Sequence, residues 1–344
     1  CNIGLNPGGY PIDWRSLDMV IEDGRIYALA GSDAGTLAKA SALCVSLSDG
    51  DIIWRHDLAQ GDSFSFFWSK YAASTDAIFY STQAGHVVAL SKADGSTLWD
   101  SPNGSISIPA LYQSQPCYRN GVVYVGSCPR GKATIDMYRD GVIVALDAKT
   151  GSKLWAKILP PPDSSIIGYA SWKLLNNNQI EASPIPTVDG IIIEPGYCVA
   201  LMDSTGQILW RSAPNINGGL SPYIWQPFLF NGQLYSYNTG NGSFFAYDID
   251  ANTGAIKWVR STKQPNNSTT INPPMIDSDG LYEVTDDAES SLWGQSLSTG
   301  STFLYTPLMW YNNSSNDAFD NEYLVSNKRI YYQTQNEMIC IERK

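Results

Sequence analysis

The chain has 344 residues, enough for one large or two ordinary domains, with a formal net charge of −11, 16 % charged residues, 11 Trp and 20 Tyr. Clustered Lys and Arg are missing, which excludes the electrostatics of nucleic-acid binding and of adhesion to a bare anionic membrane surface. No apolar run approaches the ~20 residues of a membrane-spanning helix, and two His and six Cys without a CxxC spacing give no zinc motif.

From the start of the chain, residues 1–10 ("CNIGLNPGGY") read as a flexible Gly- and Pro-containing leader, and residues 11–344 as one domain. "PIDWRS" at 11–16 is the first strand pattern, and it resembles "DIIWRHD" at 51–57 and "QILWRSA" at 207–213. A phrase then recurs: "HVVALSKADGSTLW" at 86–99, "GVIVALDAKTGSKLW" at 141–155, "GYCVALMDSTGQILW" at 196–210 and "FFAYDIDANTGAIKW" at 244–258. Each is a strand, a turn and a second strand. The turn glycine is followed four positions later by tryptophan in Gly50/Trp54, Gly95/Trp99, Gly151/Trp155, Gly206/Trp210 and Gly254/Trp258. A degenerate sixth copy has Gly300 followed by Leu304 and Tyr305. Glycine is predicted there because so tight a turn needs a positive φ.

Most copies are preceded by another hairpin: "CYRNGVVYVGS" at 117–127, "IPTVDGIIIEP" at 185–195, "FLFNGQLYSY" at 228–237 and "MIDSDGLYEV" at 275–284. Two hairpins make a four-stranded unit, and a period of about 50 residues is that of propeller blades. The chain stops on "NEMICIERK", a third strand with no turn or tryptophan strand after it. The strand holding Trp14 supplies the missing piece. The expected fold is therefore an all-β, seven-bladed β-propeller of four-stranded antiparallel blades, its last blade completed by the strand of Trp14, which removes a free sheet edge. Burying one indole is worth at most roughly 4–6 kcal/mol, so the recurring tryptophans are read as packing residues.

The turns within hairpins are short, whereas the remaining connections are long, as at 31–43, 127–141 and 159–183. Long loops tend to carry function. Aromatic residues collect there: Trp68, Tyr169, Trp172, Tyr223, Trp225, Trp310 and Tyr311 are the candidate ligand- or partner-binding set, suited to stacking on sugars or anchoring a protein. They equally suit packing against their own loops. His56 and His86 read as surface or hydrogen-bonded residues, "TDDAE" at 285–289 as a solvated loop, and no catalytic residue or metal site is assigned.

Among the cysteines, Cys44, Cys198 and Cys340 read as small core residues, and Cys117 with Cys128 flank one hairpin as a candidate disulfide. A chain starting at Cys1 is similar to a bacterial lipoprotein after signal cleavage, where that cysteine carries lipid; the alternative is a disulfide or an arbitrary start.

The phrases above, "ALDAKTGSKLW" foremost, resemble the repeat of the pyrroloquinoline-quinone (PQQ)-like, quinoprotein-dehydrogenase-like propeller family, from Trp14 through Glu342. That repeat serves quinone-dependent dehydrogenases and non-catalytic lipoproteins of the outer-membrane barrel-assembly type alike. The enzymes imply adjacent cysteines beside the quinone and a calcium held by carboxylate and amide oxygens, and no two cysteines here are adjacent. The expectation is a non-catalytic, extracytoplasmic scaffold, binding a protein partner through its elaborated loops, with no cofactor, and touching a membrane only through lipid on Cys1. The location would be the bacterial outer membrane, cell surface or periplasm, otherwise secreted. A carbohydrate-binding or glycan-acting propeller is the alternative, and a PQQ-dependent oxidoreductase the third reading.

Overall fold

The computed structural model describes residues 19–30, 40–59, 62, 72–82, 84–102, 110–114, 116–129, 142–159, 184–193, 199–212, 228–240, 243–263, 275–276, 278, 280–285, 291–307, 323–326, 329–333 and 338–342. Every regular element among them is a β-strand, and no helix is long and apolar enough to cross a membrane. The strands form seven separate antiparallel sheets in which spatial order follows chain order, as a run of consecutive hairpins dictates. The chain divides into two compact units, residues 1–165 with 169–209 and residues 166–168 with 210–344.

In the first unit, the first sheet orders Met19–Glu22, Arg25–Ala30, Ser41–Ser46 and Ile52–Asp57. The second orders Ala72–Ala73, Ala77–Ser81, His86–Ser91 and Thr97–Pro102, and the third Cys117–Arg119, Val122–Pro129, Val142–Asp147 and Lys153–Ile158. The fourth orders Ile185–Pro186, Ile191–Ile193, Val199–Met202 and Ile208–Ser212, with the division between units inside its last strand. In the second unit, the fifth sheet orders Phe228–Phe230, Gln233–Gly240, Ser243–Asp250 and Ile256–Lys263, and the sixth Met275–Ile276, Gly280–Thr285, Ser291–Ser296 and Thr302–Pro307. The last has three strands, Tyr323–Ser326, Arg329–Gln333 and Met338–Glu342. The expected fourth strand, with Trp14, lies outside the described residues.

Burial follows strand position. The third strand of each of the first six sheets has neighbours on both edges, and in the third sheet, with an apolar layer on both faces, Val142, Ile143, Val144, Ala145 and Leu146 are all fully buried. The fourth strand is an edge and alternates, with Trp54 buried between exposed Ile53 and Arg55. In the first unit, Tyr27, Cys44 and Trp54 pack on Ile78, Tyr80, Val88 and Leu90 of the next sheet. Phe79, Ala89 and Trp99 pack in turn on Val123, Val144 and Leu146, and Tyr124 and Ala145 on Ile191, Ala200 and Met202. In the second unit, Tyr235 and Trp258 pack on Leu281.

The repeated phrase is explained by one contact. Trp99 Nε1 donates to the Ala148 carbonyl in the next turn at 2.9 Å, while its ring lies over Gly151, where a Cβ would come within 2.6 Å of the indole. Trp54 does the same to Lys92 O and Gly95, and Trp155 and Trp258 donate to Ser204 O and Leu297 O. The turn glycines all have positive φ, from 67 to 83°. Burial is less uniform than the sequence suggests: Trp155 and Trp210 are only half-buried, and Trp210 covers Gly254 without a partner for its Nε1.

Two expectations are corrected in the third sheet. A fifth strand, Ala110–Gln113, pairs with Val122–Pro129 beside Cys117–Arg119, so the first strand comes in two pieces. Pro116 stands between them and has no N–H for the ladder. The candidate Cys117–Cys128 disulfide is not formed: Cys117 is a free, buried thiol. Cys117 is opposite Tyr124, and Cys128 lies four residues further along that strand, opposite Tyr112. Four strand residues span about 13 Å, well beyond the reach of a disulfide.

Candidate functional site

Antiparallel order separates two ends of each sheet. At one end lie the short turns, 23–24, 120–121 and 231–232 within first hairpins and those of Gly50, Gly95, Gly151, Gly206, Gly254 and Gly300 within second ones. The second-to-third connections and the links between sheets leave from the other end.

The short-turn end is built to be rigid. Asp147 Oδ1 accepts from the Lys149 and Thr150 amides and from the Thr150 hydroxyl at 2.9–3.1 Å, and these bonds hold its carboxyl below the usual range. Asp203 and Asp250 make equivalent sets within their turns. Side chains also reach from sheet to sheet in the first unit. Arg25 donates to Lys92 O at 3.1 Å, Lys92 Nζ meets Glu22 Oε2 at 2.6 Å and lies over the Tyr27 ring, and Arg119 donates to Thr187 O and Val188 O.

At the long-connection end of the second sheet, His86 Nδ1 is 2.7 Å from Asp100 Oδ1, both groups half-exposed. Beneath this pair Tyr80 is buried, and burial, with Asp100 and Asp62 adding, pushes its hydroxyl far above the usual tyrosine value. Asp62 accepts the Ala84 amide at 3.1 Å. The result is an oriented histidine–aspartate hydrogen bond at the surface over a neutral hydroxyl. His86 is thus hydrogen-bonded as expected, and His56 is half-buried.

Trp68, Tyr169, Trp172, Tyr223, Trp225, Trp310, Tyr311 and Cys1 lie outside the described residues. In chain position the seven aromatics fall in the links between sheets. Among the described residues, the quinone and calcium implied by the dehydrogenase resemblance find no matching donor set. No adjacent cysteines exist in the sequence, and among the described residues no three His, Cys, Asp or Glu are grouped to hold a metal.

Sequence reasoning missed Asp248 and Gln295, which are 2 % and 0 % exposed. The signal was present: "AYDID" aligns on its turn glycine with "IVALD" and puts Asp248 at the place of Ala145.

A family model described as "Outer membrane protein assembly factor BamB", built on PQQ repeats, matches residues 38–174 and 196–316. No curated protein matches the chain at a significant level. Among solved structures, BamB from Moraxella catarrhalis superposes with a TM-score of 0.59 at 17 % identity, covering 94 % of this chain and 83 % of that one. A europium-containing methanol dehydrogenase gives 0.60 at 13 % identity over 94 % and 75 % of the two chains. The quinohemoprotein alcohol dehydrogenase of Comamonas testosteroni gives 0.53 at 13 % over 92 % and 70 %. Identities this low show a shared fold, that of the PQQ-repeat propellers.

Proposed function

The chain belongs to the PQQ-repeat family of the outer membrane protein assembly factor BamB, and from that premise we propose that it is a non-catalytic scaffold that docks a protein partner at the outer membrane. The family match across most of the repeats carries this reading. The architecture supports it: apolar layers and locked aspartate turns make a stiff support, and the long connections all leave from one end of the sheets.

The partner surface we assign is the aromatic set Trp68, Tyr169, Trp172, Tyr223, Trp225, Trp310 and Tyr311. Large aromatics at an interface centre dominate binding energy because they bury area with few rotatable bonds. The test is capture of outer-membrane assembly components, identified by mass spectrometry, from membranes of the native host. Wild type should capture them, and the triple variant Trp68→Ala, Trp225→Ala, Trp310→Ala should lose at least tenfold, the effect of about 1.4 kcal/mol. Undiminished capture by a folded triple variant places the partner elsewhere. Intact mass of the protein from those membranes reads whether Cys1 carries lipid. Glycan arrays, and titration with PQQ plus calcium followed by absorption, read the other two functions directly.

A further inference from the structure

The layer between the fifth and sixth sheets breaks the apolar pattern at two places. Six residues before the turn glycine stand Cys44, Ala89 and Ala145 in the first three sheets, but Asp248 in the fifth. Five residues before it stand Leu90 and Leu146 in the second and third, but Gln295 in the sixth. These two positions face one another across successive sheets, since Cys44 and Leu90 share one cluster and Ala89 and Leu146 the next.

In the second unit the register says the same. Asp248 is directly opposite both Tyr235 and Trp258, and Gln295 is opposite Leu281. Tyr235, Trp258 and Leu281 form a single cluster, so Asp248 and Gln295 enter one layer from its two sides. Asp248 Oδ1 and both polar atoms of the Gln295 amide are buried without a hydrogen-bond partner.

Counting donors and acceptors shows what can satisfy all three atoms. Gln295 offers one donor nitrogen and one acceptor oxygen. An ionised carboxylate only accepts; it would serve Nε2 and leave Oε1 without a donor beside a negative charge. A carboxylic acid both donates and accepts. We infer that protonated Asp248 and Gln295, which do not bond one another as the side chains stand, turn to form a reciprocal acid–amide pair, hydroxyl to Oε1 and Nε2–H to the carboxyl oxygen, which fastens this layer and is released when Asp248 loses its proton.

The surroundings favour the acid. Burial pushes the Asp248 carboxyl up to about 6, against a pull downward from Lys257 and with a push upward from Asp250. Burial, with Asp248 adding, raises Tyr235 to about 12, so it faces the pair as a neutral hydroxyl. By register, Tyr237 and Arg260 of the fifth sheet and Glu283 and Tyr305 of the sixth occupy the same faces. A carboxyl raised in the folded state binds its proton where the unfolded chain has lost it. Its contribution is therefore full below the ordinary 3.8 and is lost as pH rises through about 6.

The experiment is thermal unfolding of the full chain from pH ~4.5 to ~7.5 for wild type, Asp248→Ala, Asp248→Asn and Gln295→Leu. Asp248→Ala and Asp248→Asn should both gain several degrees on wild type across that span, since neither carries the titrating carboxyl, and Gln295→Leu should move the wild-type midpoint to lower pH. Carbon-13 titration of the aspartate side chains in the wild-type protein should show one carboxyl with a midpoint near 6. It needs no variant to fold. A flat wild-type against Asp248→Ala difference, no carboxyl titrating above the ordinary range, or a midpoint unmoved in Gln295→Leu would each overturn the pair.

Discussion

Gly151 carries two constraints that mutation can separate. Its φ of 69° disfavours any side chain, and Trp99 occupies the space of a Cβ, with the nearest ring atom at 2.6 Å. Gly121 has a φ of 81° but nothing within 4 Å of the same ideal Cβ. Gly121→Ala should therefore cost about 1 kcal/mol, from the backbone alone. Gly151→Ala must also displace an indole tethered to Ala148 O, and should cost about 2–4 kcal/mol. Urea unfolding of both variants measures the difference, and equal costs would mean that the indole moves aside freely. These glycines were legible in the sequence because both demands select one residue type at one spacing. Asp248 was less legible, since a lone acid in a strand gives no sign of its burial until the copies are aligned residue by residue.

The elements most dependent on pH are the turns of the second hairpins. Hydrogen bonds lower the carboxyls of Asp49, Asp94, Asp147 and Asp203, led by the amide of Asp51, the hydroxyl of Ser96, the hydroxyl of Thr150 and the amide of Gln207 respectively. A carboxyl lowered in the folded state contributes stability above the ordinary 3.8 and loses it as pH falls through the folded value. Asp248 has the opposite sign. Stability should therefore rise from pH ~2.5 to ~4, decline between ~4 and ~6 and level off above that, giving a maximum near ~4. In Asp147→Asn the acid limb should become shallower while the neutral limb stays as in wild type. An acid limb of unchanged steepness would show that the Thr150 hydroxyl and the two amides hold the turn equally well whether or not position 147 is charged. Strand and turn placement in the first hairpins could be read ahead of the structure, because Asn-Gly and Asp-Gly pairs set the register of what flanks them: Asp23, Asn120 and Asn231 have φ near 50° and each is followed by a glycine of positive φ. The split first strand of the third sheet could not be read so easily. A proline within an apolar run signals an interruption, but not that pairing resumes beyond it.

For the molecule as a whole, strand periodicity carried further than loop length. Repeats at constant spacing specify how each sheet forms and which face meets the next, because every copy must meet the same packing condition. The links between sheets obey no such condition: 60–71, 160–183 and 213–227 differ in length and composition, so the sequence names their aromatics without bringing them together. The last sheet shows where the repeat still has a consequence to test. Its three strands end on Met338–Glu342, where Cys340 is opposite Tyr331 as Cys44 is opposite Tyr27. In the first sheet the strand in that place pairs with a fourth, which brings Trp54 opposite Cys44. "PIDWRS" at 11–16 is the remaining segment of the sequence with that pattern. If it completes the sheet, removing residues 1–16 leaves a strand edge and an apolar face uncovered, and the shortened protein should melt several degrees lower and aggregate on heating. Trp14→Ala in the full-length chain should reproduce most of the loss in melting temperature, since the indole supplies most of the apolar area such a strand covers. Melting curves of the two variants beside wild type make the measurement. An unchanged melting temperature in both would mean that the edge of Met338–Glu342 is satisfied by another part of the chain.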